Sequence, residues 1–252
     1  MGAMRFGAYA TQLNVPAHQV RRIPAGWSFE EAAAFPVQTL TVQYALDRLG
    51  GLSRGYTVLI HSAAGGCGLQ AIGICLKAGA KVVGTVGSEE KVKAVVSRYP
   101  ELAAKQLVVR GRGNFDEQLK RALEAVGASG FDIVLDAVLG DYFQPGFKAM
   151  APGGRYVVYG AASMTPQRDK LGVIGWLQLA WKWLRRPMVD PLELPGLNKS
   201  VMAFNLIHCF ENASELGTLL DTAIAMELPK PMVGKALPFS DAANALRLFR
   251  SG

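Results

Sequence analysis

Between residues 56 and 161 the chain repeats one pattern: a short run rich in Val, Ile and Leu, then a longer segment whose apolar residues recur at helical spacing. The apolar runs occupy 57–63, 81–86, 106–110, 131–138 and 155–161. Helix-like segments fill 66–79, 89–98, 115–126 and 142–150, with Asn114 and Asp141 where a helix N-cap belongs. Parallel strands need long crossovers, and crossover helices cover both faces of the sheet, so its strands read as continuous apolar runs. The pattern predicts an α/β fold built on a doubly wound parallel sheet.

The first run, Thr57-Val58-Leu59-Ile60-His61-Ser62, passes through Ala63-Ala64-Gly65-Gly66-Cys67-Gly68 into a helix. In that strand–turn–helix setting a Gly-rich turn reads as a phosphate cradle. Gly65 lets backbone approach a pyrophosphate, Gly68 lets the helix lie close on the strand, and the anion rests on N–H groups at the positive end of the helix dipole. Ala63 stands where the first glycine of G-x-G-x-x-G is usual. Taken alone, the turn could be a tight connection without a ligand; the β-α-β-α-β order around it favours a Rossmann-type dinucleotide site.

The end of the second run bears on which dinucleotide. An NAD site usually places Asp or Glu there to hold the ribose 2′-hydroxyl, but this chain reads Val86-Gly87-Ser88-Glu89-Glu90-Lys91. Gly87 offers no carboxylate, Ser88 can hydrogen-bond a phosphate oxygen, and Lys91 adds positive charge one turn into the helix, which together favour NADPH. In the competing reading Ser88 only caps the helix, Glu89 and Glu90 sit well in its first turn, Lys91 is solvated, and Glu89 could restore a preference for NAD.

Charge and cysteine usage narrow the classes of function. The 27 Lys and Arg against 20 Asp and Glu give +7, which suits an anionic ligand. The basic residues are scattered, with no long basic tract carrying interleaved aromatics, so nucleic-acid binding is not expected. Cys67, Cys75 and Cys209 form neither a disulfide framework nor a metal-spaced cluster, so no metal is expected and a reducing compartment is. No secretory signal or apolar run of membrane-spanning length is present, which makes the cytoplasm the expected location. His18, His61 and His208 are isolated; His61, within a strand, reads as a buried structural residue. Asp136 ends the fourth strand and reads as a structural cap, so no catalytic acid is assigned.

The flanks depart from the pattern. Residues 8–24 predict a short strand with a turn, 28–49 a capped Ala-rich helix, 201–207 a sixth strand, and the neighbourhoods of 214–226 and 240–249 two more helices. A Trp-rich stretch, 171–186, puts Gly175, Gln178, Lys182 and Arg185 on one helical face, with Val173, Ile174, Trp176, Leu177, Trp181, Trp183 and Leu184 over the rest. The favoured reading packs it over the cofactor cleft or against the partner subunit of a homodimer. The other lays it in a lipid headgroup layer as a peripheral membrane contact.

Residues 61–68, Val83-Gly84-Thr85-Val86-Gly87-Ser88, Asp136-Ala137-Val138-Leu139-Gly140 and Pro152-Gly153-Gly154-Arg155 resemble, in order, the zinc-independent quinone oxidoreductases of the medium-chain dehydrogenase/reductase superfamily. Asn198 to Leu206, after the Trp-rich stretch, is similar to the branch related to the synaptic vesicle amine-transport membrane protein. The resemblance implies a GroES-like catalytic domain interrupted by a Rossmann domain. Here 1–38 would be the remnant of the catalytic domain, 39–208 the NADP-binding domain, and 209–252 the return to the catalytic domain. It also implies that roughly the first 80 residues of that catalytic domain are absent, and that the chain stops before a closing Asn-x-Gly-Lys strand. Cofactor roles carry over to Thr41, Gly65, Gly66, Cys67, Gly68, Ser88, Lys91, Gly160 and Ala161, and to Ala63 within the turn; Arg110 stands where relatives often have Tyr near the adenosine phosphate. The implied reaction is hydride transfer from NADPH to a quinone or an α,β-unsaturated carbonyl. The alternative is a non-catalytic cofactor-binding scaffold descended from such a reductase.

Overall fold

A computed structural model of the chain describes residues 1–165 and 172–251. Six parallel strands, β1 (Thr57–His61), β2 (Lys81–Val86), β3 (Leu107–Val109), β4 (Phe131–Asp136), β5 (Met150–Val158) and β6 (Ser200–Ala203), form one sheet in the order β3-β2-β1-β4-β5-β6. All five residues of β1 are buried because helices cover both faces of the sheet. Successive side chains serve opposite cores. Val58 and Ile60 join Ile133 and Leu135 on one face, while Leu59 joins Val83, Val134 and Tyr156 on the other.

Helix α1 (Phe29–Gln43) starts at a capping box: Ser28 Oγ accepts from Glu31 N at 3.2 Å, and Glu31 Oε2 accepts from Ser28 N at 2.8 Å. It runs unbroken across residues 38 and 39 and continues as a π-helical turn, Tyr44–Leu49. The crossover helices are α2 (Gly66–Lys77), α3 (Glu89–Arg98), α4 (Phe115–Ala125) and α5 (Phe143–Lys148). Helices α6 (Val173–Leu184), α7 (Glu193–Leu197), α8 (Leu206–Cys209), α9 (Ala213–Ala225) and α10 (Ala242–Ser251) complete the chain. None is long and apolar enough to cross a membrane among the described residues. Leu171, the first residue of the Trp-rich stretch, and Gly252 lie outside the described residues.

Several expectations are corrected. Residues 8–24 form no strand; an isolated antiparallel bridge, Gly2 to Val20, and a 3-10 turn, Ala17–Gln19, take its place. Among the described residues no neighbouring strand offers the N–H and C=O partners that an extended segment needs. The sixth strand stops at Ala203 because Asn205 turns the chain, its Oδ1 accepting from Ile207 N at 3.2 Å to cap α8. Asp141 caps nothing: it lies in the 3-10 turn Gly140–Tyr142 that leads into α5, whose start has no side-chain cap. Strand β5 starts at Met150, earlier than the expected 155, and shifts register between Phe131 and Ile133 of β4 to absorb Pro152 and Gly153.

Candidate cofactor site

Strand order reverses between β1 and β4, so the loops leaving their C-terminal ends diverge to opposite faces and open a crevice. At the β1 end, Ser62 takes φ +60° and bends the chain sharply, while Ala63 N stays tied to Thr85 O at 2.9 Å. Gly65 is the N-cap of α2 and supplies no capping side chain, so the first N–H groups of that helix remain for an external acceptor. A Cβ on Gly66 would overlap the Gln38 side chain, and one on Gly68 would overlap Ser62 O and stand 2.7 Å from Ala63 Cα. The turn Gly65-Gly66-Cys67-Gly68 is therefore a bare-backbone cradle of the kind a pyrophosphate needs. Burial holds the Cys67 thiol protonated, its pKa pushed up to about 11, so the group is inert within the turn.

At the β2 end a Cβ on Gly87 would meet nothing within 4 Å, which leaves an open shelf. Ser88 caps α3, its Oγ accepting from Lys91 N at 3.4 Å, as the competing reading had it. Glu89 is paired with Arg112 at 2.8 Å, and no partner for the Lys91 ammonium stands among the described residues. Arg110 follows β3, its N donating to Val86 O at 2.9 Å. Its guanidinium lies 5.4 Å over the Tyr142 ring without a carboxylate at ion-pair distance among the described residues. Burial lowers its pKa, opposed by Tyr142 and Asp136.

The polar residues beneath the crevice hold its floor. Asp136 is fully buried; its Oδ1 accepts from Val138 N at 2.6 Å and Leu139 N at 2.9 Å, and its Oδ2 from the Tyr156 hydroxyl at 2.6 Å. His61 is also buried, with Nδ1 3.1 Å from Thr85 Oγ1 and Nε2 unpartnered. Burial, with a smaller push from Arg110, brings its pKa down to about 4 against the pull of Asp136, so the ring is neutral at pH 7. Both residues are buried, as their sequence positions suggest.

At the β5 end, Gly160 sits against Ala137, where a Cβ would come within 3.1 Å of the carbonyl oxygen. Ala161 follows, and Ala162 N and Ser163 N bond back to Ala137 O and Val138 O at 2.9 and 3.0 Å. Thr41, whose hydroxyl donates to Val37 O at 2.7 Å, lines a neighbouring cleft with Val37, Tyr159, Phe204 and Asn205. The fold thus brings the turn, Ser88, Lys91, Arg110, Gly160 and Ala161 to one edge of the sheet, with Thr41 facing them from α1. Sequence reasoning passed over Gln38, Ser163 and Phe204. Gln38 is one of several polar residues of α1, so nothing in the sequence singles it out; Ser163 Oγ, buried and without a hydrogen-bond partner among the described residues, and Phe204 carried no site signal either.

Residues 66–180 match the family model described as zinc-binding dehydrogenase. A solved quinone oxidoreductase from Thermus thermophilus, described also in complex with NADPH, superposes with a TM-score of 0.71 at 28% identity, over 99% of this chain and 72% of that one. These likenesses are to the medium-chain dehydrogenase/reductase superfamily, whose fold the chain shares. Within it, the likeness is to quinone oxidoreductases. The human synaptic vesicle membrane protein VAT-1 homolog-like is 28% identical over 219 residues, 87% of this chain and 49% of that protein. The CurK enoyl reductase structure aligns at 25% identity with a TM-score of 0.68, over 94% of this chain and 64% of that one. This chain therefore spans about half the length of the human relative. Among its described residues no three His, Cys, Asp or Glu side chains are grouped to hold a metal ion.

Proposed function

We propose that this chain binds NADPH and serves an oxidoreductase that reduces a quinone or an α,β-unsaturated carbonyl. The reading rests on the shelf at Gly87, where a 2′-phosphate finds room, with Lys91 and Arg110 beside it free of ion-pair partners among the described residues. The Thermus relative, with its NADPH complex, and the enoyl reductase supply the reaction class.

When bound, NADPH supplies a hydride from its nicotinamide ring. The chain's own work is placement. The backbone N–H groups of the Gly66–Gly68 turn hold the pyrophosphate, Ser88 and Lys91 take the 2′-phosphate, and Arg110 lies on the adenosine side. Gly160 and Ala161 present backbone to the nicotinamide end, and the Thr41 hydroxyl keeps lone pairs to accept a hydrogen bond there. Val37, Tyr159 and Phe204 make the adjoining cleft apolar, which keeps water from the reacting carbon.

Fluorescence titration with NADPH and NADH tests the assignment. Lys91→Ala should weaken NADPH on the order of tenfold, the lower end of the 1.5 to 3 kcal/mol expected for a hydrogen bond to a charged group, because Lys91 is exposed. NADH binding should barely change. Equal losses for both cofactors would remove Lys91 from the phosphate site.

A further inference from the structure

Helix α6 is built inside out for a soluble surface. Seven of its eight large apolar residues, Val173, Ile174, Trp176, Leu177, Trp181, Trp183 and Leu184, are each between 61% and 77% exposed, and no residue of the helix is buried. Only Gly175 and Leu179 are partly covered. Lys182, on the same side, fastens the helix to the body through a 3.0 Å bond from Nζ to Ser163 O. A surface helix normally turns its apolar stripe toward the core. Here the stripe points to solvent, and an exposed patch of this kind marks a contact surface.

Charge indicates what covers it. Between Asp169 and Asp190 the sequence carries Lys170, Lys182, Arg185 and Arg186 and no acid. The Arg185 and Arg186 guanidiniums lie over the Trp181 and Trp183 rings at 5.7 and 4.8 Å, so the cations sit beside the apolar surface. A second copy would press an identical basic helix against this one, because a two-fold contact sets the same surface on both sides. An anionic headgroup layer satisfies both parts: acyl chains take the aliphatic residues, the boundary takes the indoles, and phosphates take the guanidiniums. With 12 residues the helix is about 18 Å long, too short for a 30 Å hydrocarbon core.

We propose that α6 is an interfacial anchor that lies flat in the headgroup region of an anionic bilayer, with Trp176, Trp181, Trp183 and their aliphatic neighbours inserted and Arg185 and Arg186 on lipid phosphates. Because Lys182 ties α6 to Ser163 in the 3-10 turn Ala162–Met164 that follows Ala161, the anchor holds the nicotinamide end of the crevice close to the membrane.

Three of the four tryptophans lie in α6, so intrinsic fluorescence reports insertion directly. The chain should co-sediment with phosphatidylcholine vesicles containing phosphatidylserine, with a blue-shifted emission, and should bind phosphatidylcholine alone far more weakly. Binding should fall as salt rises. The double variant Arg185→Gln, Arg186→Gln should weaken partition by roughly 25-fold, at about fivefold for each cation near an anionic surface. Trp176→Ser with Trp181→Ser should abolish the shift, and both variants should keep the parent's thermal unfolding because none of these side chains is buried. Equal, salt-insensitive binding to both vesicles would overturn the proposal. So would no binding to either, or a lipid-independent dimer that the tryptophan variants dissolve.

Discussion

Gly87→Asp should convert the cofactor preference. The position is exposed, a Cβ there meets nothing within 4 Å, and the residue does not need the left-handed backbone that reserves other positions for glycine, so the new side chain enters without strain. It places a carboxylate at the end of β2, where a 2′-phosphate with about −1.5 to −2 charges would sit. At about 4 Å one pair of like charges costs about 1 kcal/mol in water and about 4 at an effective dielectric of 20. An exposed shelf lies toward the watery limit, and the phosphate carries nearly two charges. The expected penalty on NADPH is about 2 to 3 kcal/mol, a rise in Kd of roughly 30- to 150-fold. NADH has a ribose hydroxyl in that place, which the carboxylate accepts, for a gain of about 0.5 to 1.5 kcal/mol. Paired titrations of parent, Gly87→Asp and the uncharged Gly87→Asn are the assay, repeated at raised salt, where the NADPH penalty should shrink. An unchanged NADPH-to-NADH ratio in a variant that melts like the parent would refute the placement of the phosphate on this shelf.

The glycines of the turn should separate by backbone environment. Gly68→Ala, whose Cβ overlaps the backbone of Ser62 and Ala63, should destabilise by about 3 kcal/mol, whereas Gly65→Ala, whose Cβ comes to 3.2 Å from a single carbonyl oxygen, should fold and lose dinucleotide affinity. Similar melting for the two variants would contradict this. His61 gives a pH signature: its pKa falls from 6.5 to about 4 on folding, so its contribution is complete above pH 6.5 and is lost as pH drops through 4. The loss amounts to about 3 kcal/mol. Denaturant midpoints from pH 7 to 4 should fall more steeply in the parent than in His61→Gln, and parallel profiles would show that His61 is not the titrating group.

The sheet and its phosphate turn were readable from the sequence because both rest on local rules. Strands covered on both faces must be apolar throughout, which is why β1, β2 and β4 stand out, and a strand-to-helix turn that must present bare backbone needs Gly65, Gly66 and Gly68. The shelf at Gly87 was visible as a missing carboxylate. Arg110 was harder: its value lies in being half-buried on Tyr142 without an ion-pair partner, and residues 32 apart in sequence declare no such contact. Gln38 meets the turn only because α1 crosses it, so no spacing within α1 announces its contact with Gly66.

Where sequence reasoning failed, the failing premise was a partner. Residues 8–24 have strand-like composition, but composition does not supply the neighbouring edge that completes a ladder, and without one the segment bends at Gly7 and turns at Ala17–Gln19. The Trp-rich helix shows the same limit in reverse. Its helical wheel separates Gly175, Gln178, Lys182 and Arg185 from the large apolar side chains, yet the wheel is indifferent to which side faces the protein. Ordinary burial would have turned the indoles inward over the crevice, the first of the two coverings in the favoured reading, the other being a partner subunit. The bond from Lys182 to Ser163 O instead turns the side carrying Gly175 and Leu179 toward the body and leaves Trp176, Trp181 and Trp183 outside. An apolar stripe therefore specifies that something will cover it, and only the surface of the folded body tells whether the cover comes from the same chain.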